Sequence, residues 1–180
     1  MWLLLKYTLL YASVLALVAL GGMFSERSGV INIALEGIMI FGAFIGVLFV
    51  NSMQNMALFI NAARSGNWVL LQLLEVGAML VAAALGAIFS LLLSFASINL
   101  KADQTIGGTA LNLMAPALVL FLVRILANQN TLQMKTGDAA SWFMIKKSTF
   151  GVDKSVDWGF LGETFLNKVY LATYLCIILF

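Results

Sequence analysis

The chain has 180 residues, of which 62% are hydrophobic and 10% charged, and its net charge is +2. A soluble domain averages about 45–50% apolar and 25% charged residues, and one this small cannot hide so much apolar side chain from its surface. Composition therefore excludes a soluble globular protein, a disordered chain and a nucleic-acid-binding module. It predicts an all-α polytopic transmembrane helical bundle, and a mean hydropathy of +1.01 agrees.

The first apolar run covers residues 2–24 and is broken only by Lys6. It is too long for a signal-peptide core, and Ser25-Glu-Arg-Ser after it is no small-residue cleavage site. About 20 residues at ~1.5 Å each cross a ~30 Å hydrocarbon core, so this run is long enough to span. The second run, 29–50, carries Asn32 and Glu36 near its start, then Gly37, Gly42 and Gly46. Residues 51–67 read as a short polar connection containing Arg64 and several Asn.

The third run, 68–98, is longer than one crossing requires, which predicts tilt or an interfacial first turn. Its one charge is Glu75, which suits the dipole at a helix start. Ala78, Ala82 and Gly86 recur every four residues, a spacing that lets another helix approach one face closely. A charged turn, 99–104, leads into the fourth run, 105–127. That run holds Gly107, Gly108, Asn112, Arg124 and the only proline, Pro116, expected to kink the helix or free a carbonyl. Arg124 sits near the helix end, where it can snorkel to the interface.

Residues 128–167 form the one long polar stretch, with Lys135, Lys146, Lys147 and Lys154 beside Asp138, Asp153, Asp157 and Glu163. Its interspersed Trp142, Phe143, Trp158 and Phe160 suit a membrane interface, so an extramembrane loop is expected rather than a domain. A last apolar run begins near Phe165 and reaches Phe180 without a polar anchor, which reads as a truncated chain. About five spanning or partly spanning segments follow from this pass, within a single permease-like unit, 1–180. The stretches after residues 24 and 99 are faintly alike, each running from charged turn to glycine to an apolar helix with an early Asn. Two short matches are thin support for an internal repeat.

Four polar residues in apolar sequence are the candidate pathway set: Asn32, Glu36, Thr109 and Asn112. A carboxylate inside a span costs about 2.5–3.5 kcal/mol on insertion scales, so Glu36 needs a polar cavity, a cation or a proton. It either lines a solute pathway or pairs with Arg27 or Lys101. Asn32 and Asn112, each read as early in a helix, either bind a polar solute or act as glue between helices. Gly29, Gly107 and Gly108 beside them suggest broken or re-entrant helix starts, tolerated only where protein or a water-filled cavity satisfies the backbone.

No catalytic set is visible. Histidine is absent and Cys176 stands alone, which removes the commonest general base, an intrachain disulfide and a CxxC metal site. Hydrolase, zinc-protease and P-loop motifs are missing as well, so no cofactor or metal is expected, and any ATP-driven work needs a nucleotide-binding partner.

Two longer motifs carry a resemblance. Gly21-Gly-Met-Phe-Ser-Glu-Arg-Ser-Gly-Val-Ile-Asn-Ile-Ala-Leu-Glu-Gly-Ile-Met closely resembles the permease subunits of bacterial ABC importers for nucleosides and simple sugars. These belong to the wider group that includes ribose and branched-chain amino-acid permeases. Ser97-Ile-Asn-Leu-Lys-Ala-Asp-Gln-Thr-Ile-Gly-Gly-Thr-Ala-Leu-Asn-Leu-Met-Ala-Pro-Ala-Leu matches the same group. The likeness covers most of residues 7–127 and resumes around 167–180, leaning to nucleoside over sugar.

The resemblance implies a multi-pass protein of the bacterial cytoplasmic membrane that does no covalent chemistry. It implies a second permease subunit, a cytoplasmic ATPase subunit and an extracytoplasmic substrate-binding protein as partners, with ATP hydrolysis in the ATPase driving alternating access. It also implies that 25–29 and 101–104 face the cytoplasm and that 128–167 is external. Counting Lys and Arg alone gives the opposite orientation, because Lys6, Arg64 and the loop lysines oppose only Arg27 and Lys101; the family's orientation is adopted. Members of that group continue well past 180 residues, and their later half holds the segment that docks on the ATPase, so this sequence is expected to be a partial permease. Two rivals make separable predictions. An ion-coupled secondary transporter using Glu36 would lose uptake with an uncoupler and keep it under ATP depletion. A non-transporting scaffold or remnant would show only stability effects from Glu36→Gln and Asn112→Ala.

Overall fold

Helix α1, Trp2–Arg27, opens the chain. It ends in a Schellman motif written into the first of the two motifs above. Gly29 adopts a left-handed φ of 84°. Its N–H bonds the Glu26 carbonyl at 3.0 Å, and the Val30 N–H bonds the Ser25 carbonyl at 3.2 Å. Only a residue without Cβ takes that conformation freely. In this computed structural model the described residues are 2–127, 142–146 and 167–179, with positions 131, 159, 162 and 165.

After Gly29 the backbone stays irregular until α2 begins at Leu35 and runs to Met53. Asn32 therefore precedes a helix instead of standing early in one. The polar connection expected at 51–67 is largely helical. α2 continues through Asn51, and Gln54, 2% exposed, donates to the Asn51 side-chain oxygen at 3.0 Å. That pairing gives two buried amides each other in place of water. A short helix, α3, Ala57–Ser65, follows.

Helix α4 spans Trp68–Ile98, 31 residues. At ~1.5 Å per residue it is roughly 46 Å long. Its small-residue row meets α2 as the spacing predicts. A Cβ added at Gly42 or Gly46 would sit 3.6 Å from Ala82, and one at Gly86 would sit 3.7 Å from Ile38. Close backbone approach of this kind replaces the hydrophobic driving force that lipid cannot supply. Phe41 and Phe89 stack across the same seam with centroids 4.4 Å apart.

Helix α5, Gln104–Ala127, is continuous through Pro116. Gly107 and Gly108 lie inside its regular part, so the broken start expected there is not found. They serve close packing instead, since a Cβ on Gly108 would come within 3.1 Å of Ile33. Two core clusters result. One joins Ala34, Phe89, Leu93, Leu111 and Ala115 where α2, α4 and α5 meet. The other joins Val50, Leu74, Ala78 and Phe143.

Phe143 is buried in that second cluster, with Trp142 packed beside it. It leads into β1, Met144–Ile145, which pairs antiparallel with β2, Val169–Tyr170. The last apolar run thus opens as a strand before α6, Leu171–Leu179. α6 packs chiefly on α1, and the Lys6 ammonium fastens α1 to the same region through the Asn167 carbonyl at 2.6 Å. The nine described residues of α6 rise ~13.5 Å. Among the described residues four helices, α1, α2, α4 and α5, are long and apolar enough to span. Residues 135, 138, 147, 153, 154, 157, 158, 160 and 163 of the expected loop lie outside the described residues.

Candidate functional site

The two sequence motifs converge in space. The irregular segment before α2 has backbone groups without helical partners, and side chains of α5 supply them. Gln104 accepts the Ile31 N–H at 3.1 Å. Asn112 donates its amide to the Ile33 carbonyl at 2.8 Å and accepts the Gly37 N–H at 2.7 Å. Asn32 accepts the Ala34 N–H at 3.1 Å, closing its own turn. This is how non-helical backbone is satisfied among packed helices. Glycine at 37 is a requirement of the seam, because a Cβ there would lie 3.0 Å from both the Asn112 side-chain oxygen and the Leu111 carbonyl. Pro116 has no N–H to give the Asn112 carbonyl four residues earlier, so Asn112 is the point where α5 departs from helical bonding.

The expected pathway set divides accordingly. Asn32 and Asn112 both bond backbone at this seam. Thr109 does not join them; it is exposed and bonds back to the Thr105 carbonyl at 2.8 Å within its own helix. Glu36 is exposed in the first turn of α2, where a carboxylate suits the positive end of the helix dipole. Among the described residues it pairs with neither Arg27 nor Lys101.

Glu75 departs from the place expected for it at a helix start. It lies beyond the first turn of α4, so the helix-start reading of its charge fails. It is only 9% exposed. Its Oε1 accepts the Ala172 N–H at 3.2 Å, at the N-terminus of α6. A buried carboxylate is tolerable there because free N–H groups and the helix dipole face it. Its Oε2 has no hydrogen-bond partner among the described residues. Gln72, one turn earlier and also buried, donates to the Phe143 carbonyl at 3.2 Å. Two polar residues three apart on a face otherwise built from Leu71, Leu74 and Ala78 were the available signal.

Glu75 lines a cavity of about 430 Å³ bounded by α1, α2, α4 and α6. Ser13, Thr173, Phe143, Tyr170, Gly42 and Gly46 also line it, and the wall is almost wholly apolar. Among the described residues no cluster of three metal-ligating side chains occurs.

Two curated relatives align with nearly the whole chain. A guanosine ABC transporter permease protein of Bacillus subtilis is 38% identical over 96% of this chain and 47% of its own length. A nucleoside ABC transporter permease protein of Lactococcus lactis is 33% identical over 94% of this chain and 47% of its own. The chain thus spans about half the length of the curated relatives it matches. No solved structure matches it. The family described as the permease component of branched-chain amino acid transport systems matches residues 4–180, and the chain belongs to that family.

Proposed function

We propose that the chain forms part of the permease of an ATP-driven ABC importer that carries nucleosides across the bacterial cytoplasmic membrane. The observation that carries this reading is the pair of nucleoside-transport relatives aligned over 94–96% of the chain. The four spanning-length helices and the α2–α5 seam supply a matching scaffold. The permease does no chemistry itself. A separate ATPase subunit supplies the work, a second permease subunit completes the pathway, and an extracytoplasmic binding protein delivers solute. Asn32 and Asn112 hold the pathway wall in shape, with 25–29 and 101–104 toward the cytoplasm.

The test is uptake of labelled guanosine by cells with and without the gene. Gene-dependent uptake that stops under ATP depletion and survives an uncoupler supports the importer. Uptake with the reverse pattern supports an ion-coupled carrier, and no gene-dependent uptake of any nucleoside overturns the reading.

A further inference from the structure

We propose that Glu75 carries a proton on Oε2 and donates it to the Gln72 side-chain carbonyl, so that α4 grips the β1–β2 hairpin through a neutral clamp that opens when the proton leaves. The inference goes beyond the importer reading and does not depend on it.

The starting point is a pair of buried acceptors that lack a donor. Gln72 gives its amide nitrogen to the Phe143 carbonyl at 3.2 Å, and its side-chain oxygen has no partner among the described residues. Glu75 takes the Ala172 N–H on Oε1 at 3.2 Å, and its Oε2 has none either. Both side chains are buried, and water does not reach the two orphaned oxygens. Residues three apart on a helix are neighbours on one face. Their backbone anchors are neighbours too, since Phe143 precedes β1 and Ala172 follows β2 at the same end of the ladder. An amide oxygen and a carboxylate oxygen only accept, so side by side they repel. One proton on Oε2 turns the carboxyl into a donor and gives both oxygens a partner. The carbonyl oxygen of the neutral acid still accepts the Ala172 N–H.

The surroundings favour the neutral form. A buried charge needs a counter-ion or several hydrogen bonds. Glu75 has one bond, from the first turn of α6, whose dipole gives partial support. No lysine or arginine lines the cavity beside it, α2 adds no titratable side chain there, and the other titratable groups on that wall are Tyr170 and Cys176. Tyr170 on β2 and Tyr7 on α1 are phenols, uncharged near neutral pH, and bring no positive charge. The Lys6 ammonium on α1 is engaged at the Asn167 carbonyl. The Tyr174 hydroxyl on α6 does hold a proton, but it is itself without a partner, so it does not serve Glu75. Phe143 and Ala172 bracket the hairpin, so Gln72 and Glu75 together hold both of its strands to α4. Loss of the proton sets a negative charge against the Gln72 oxygen with no donor between them, and pushes both side chains off the backbone groups they hold.

The experiment is infrared difference spectroscopy on the complete membrane complex that contains this chain, held in lipid, with Glu75→Gln as the reference. Glutamine keeps an oxygen for the Ala172 N–H and an N–H for Gln72, and it cannot titrate. At neutral pH the wild type is expected to show a protonated-carboxyl band that moves in heavy water and is missing from the variant. A carboxylate band in its place overturns the proposal. Gln72→Leu removes the acceptor and is expected to move the acid band to higher frequency, and an unmoved band overturns the clamp. The opening is read by hydrogen exchange over residues 169–173. As pH rises and the band disappears, exchange corrected for base catalysis is expected to quicken about two- to tenfold in the wild type, the weight of one hydrogen bond, and to stay level in Glu75→Gln. A band that persists until the complex unfolds, or that vanishes without faster exchange, overturns the switch. Should Glu75→Gln fail to assemble, Gln72→Leu becomes the reference, because the shifted band identifies Glu75 just as the missing one does.

Discussion

The α2–α5 seam and the Glu75 cavity both place polar groups among apolar helices, and they treat those groups in opposite ways. At the seam the Asn112 amide uses its nitrogen and its oxygen on two backbone groups of the α2 entry, and Gln104 takes a third. In the cavity Glu75 uses one oxygen and leaves the other without a partner among the described residues. The difference separates architecture from availability. A polar side chain whose bonds are spent on backbone fixes geometry, and replacing it alters stability. A buried acceptor with capacity left over carries a desolvation cost that no partner offsets.

The seam side of this contrast breaks first at Gly37. Gly37→Leu drives side-chain atoms into space where even a Cβ would lie 3.0 Å from the Asn112 amide oxygen and the Leu111 carbonyl. Overpacking a tight site costs about 1–3 kcal/mol, and this one belongs at the upper end because backbone is among the obstacles. Membrane abundance of the complex is expected to fall several-fold, read by quantitative blotting. Normal abundance would mean that α2 and α5 are not in fixed register.

Asn112→Ala sharpens the same contrast at a smaller scale. It leaves the Ile33 carbonyl and the Gly37 N–H without their partner, and each lost hydrogen bond costs about 0.5–1.5 kcal/mol. Interhelical hydrogen bonds in membranes average nearer 0.6 kcal/mol, so a total of roughly 2 kcal/mol is expected. Thermal unfolding in detergent should show a lowered midpoint, and the KM for guanosine should stay at its wild-type value. A raised KM with an unchanged midpoint would place Asn112 in contact with the solute.

Much of the scaffold was legible because the membrane imposes it. Long apolar runs give the four spanning helices, and the Ala78, Ala82, Gly86 spacing gives the face that meets Gly42 and Gly46. The polar positions were legible as residues and not as roles. Nothing in the order of residues says that Asn112 reaches back to Gly37, 75 positions earlier. Gly107 and Gly108 looked like helix breakers and are packing residues, since glycine serves both ends and only the neighbour across the gap decides which. Glu36 drew attention and Glu75 did not, although exposure reverses their order. A carboxylate near the start of an apolar run reads the same whether its helix face turns outward or inward. Burial depends on the third dimension, in which Ala172, 97 positions further on, comes to rest against Glu75.

Asp103 offers the smallest effect and a control on the seam from its solvent side. Its Oδ1 accepts the N–H groups of Thr105 at 2.7 Å and Ile106 at 3.2 Å, capping α5. The bonds from Ile106 and Thr105 hold its carboxyl below the usual aspartate value. The sign follows directly. In the pH window between the lowered value and the ordinary one, about 3.9, the unfolded chain binds the proton that the folded chain refuses. The cap's charge-dependent stabilisation is complete above that ordinary value and is lost as pH falls through the folded one. Between pH 7 and 5 the α5 contribution should be flat. Below about pH 4 the wild type should lose thermal stability faster than Asp103→Asn, which keeps a capping oxygen and cannot titrate. Parallel pH profiles for the two proteins would show that the cap is not formed in the membrane-bound state. The α5 N-terminus, and Gln104 with it, would then be free to leave the α2 entry that the seam depends on.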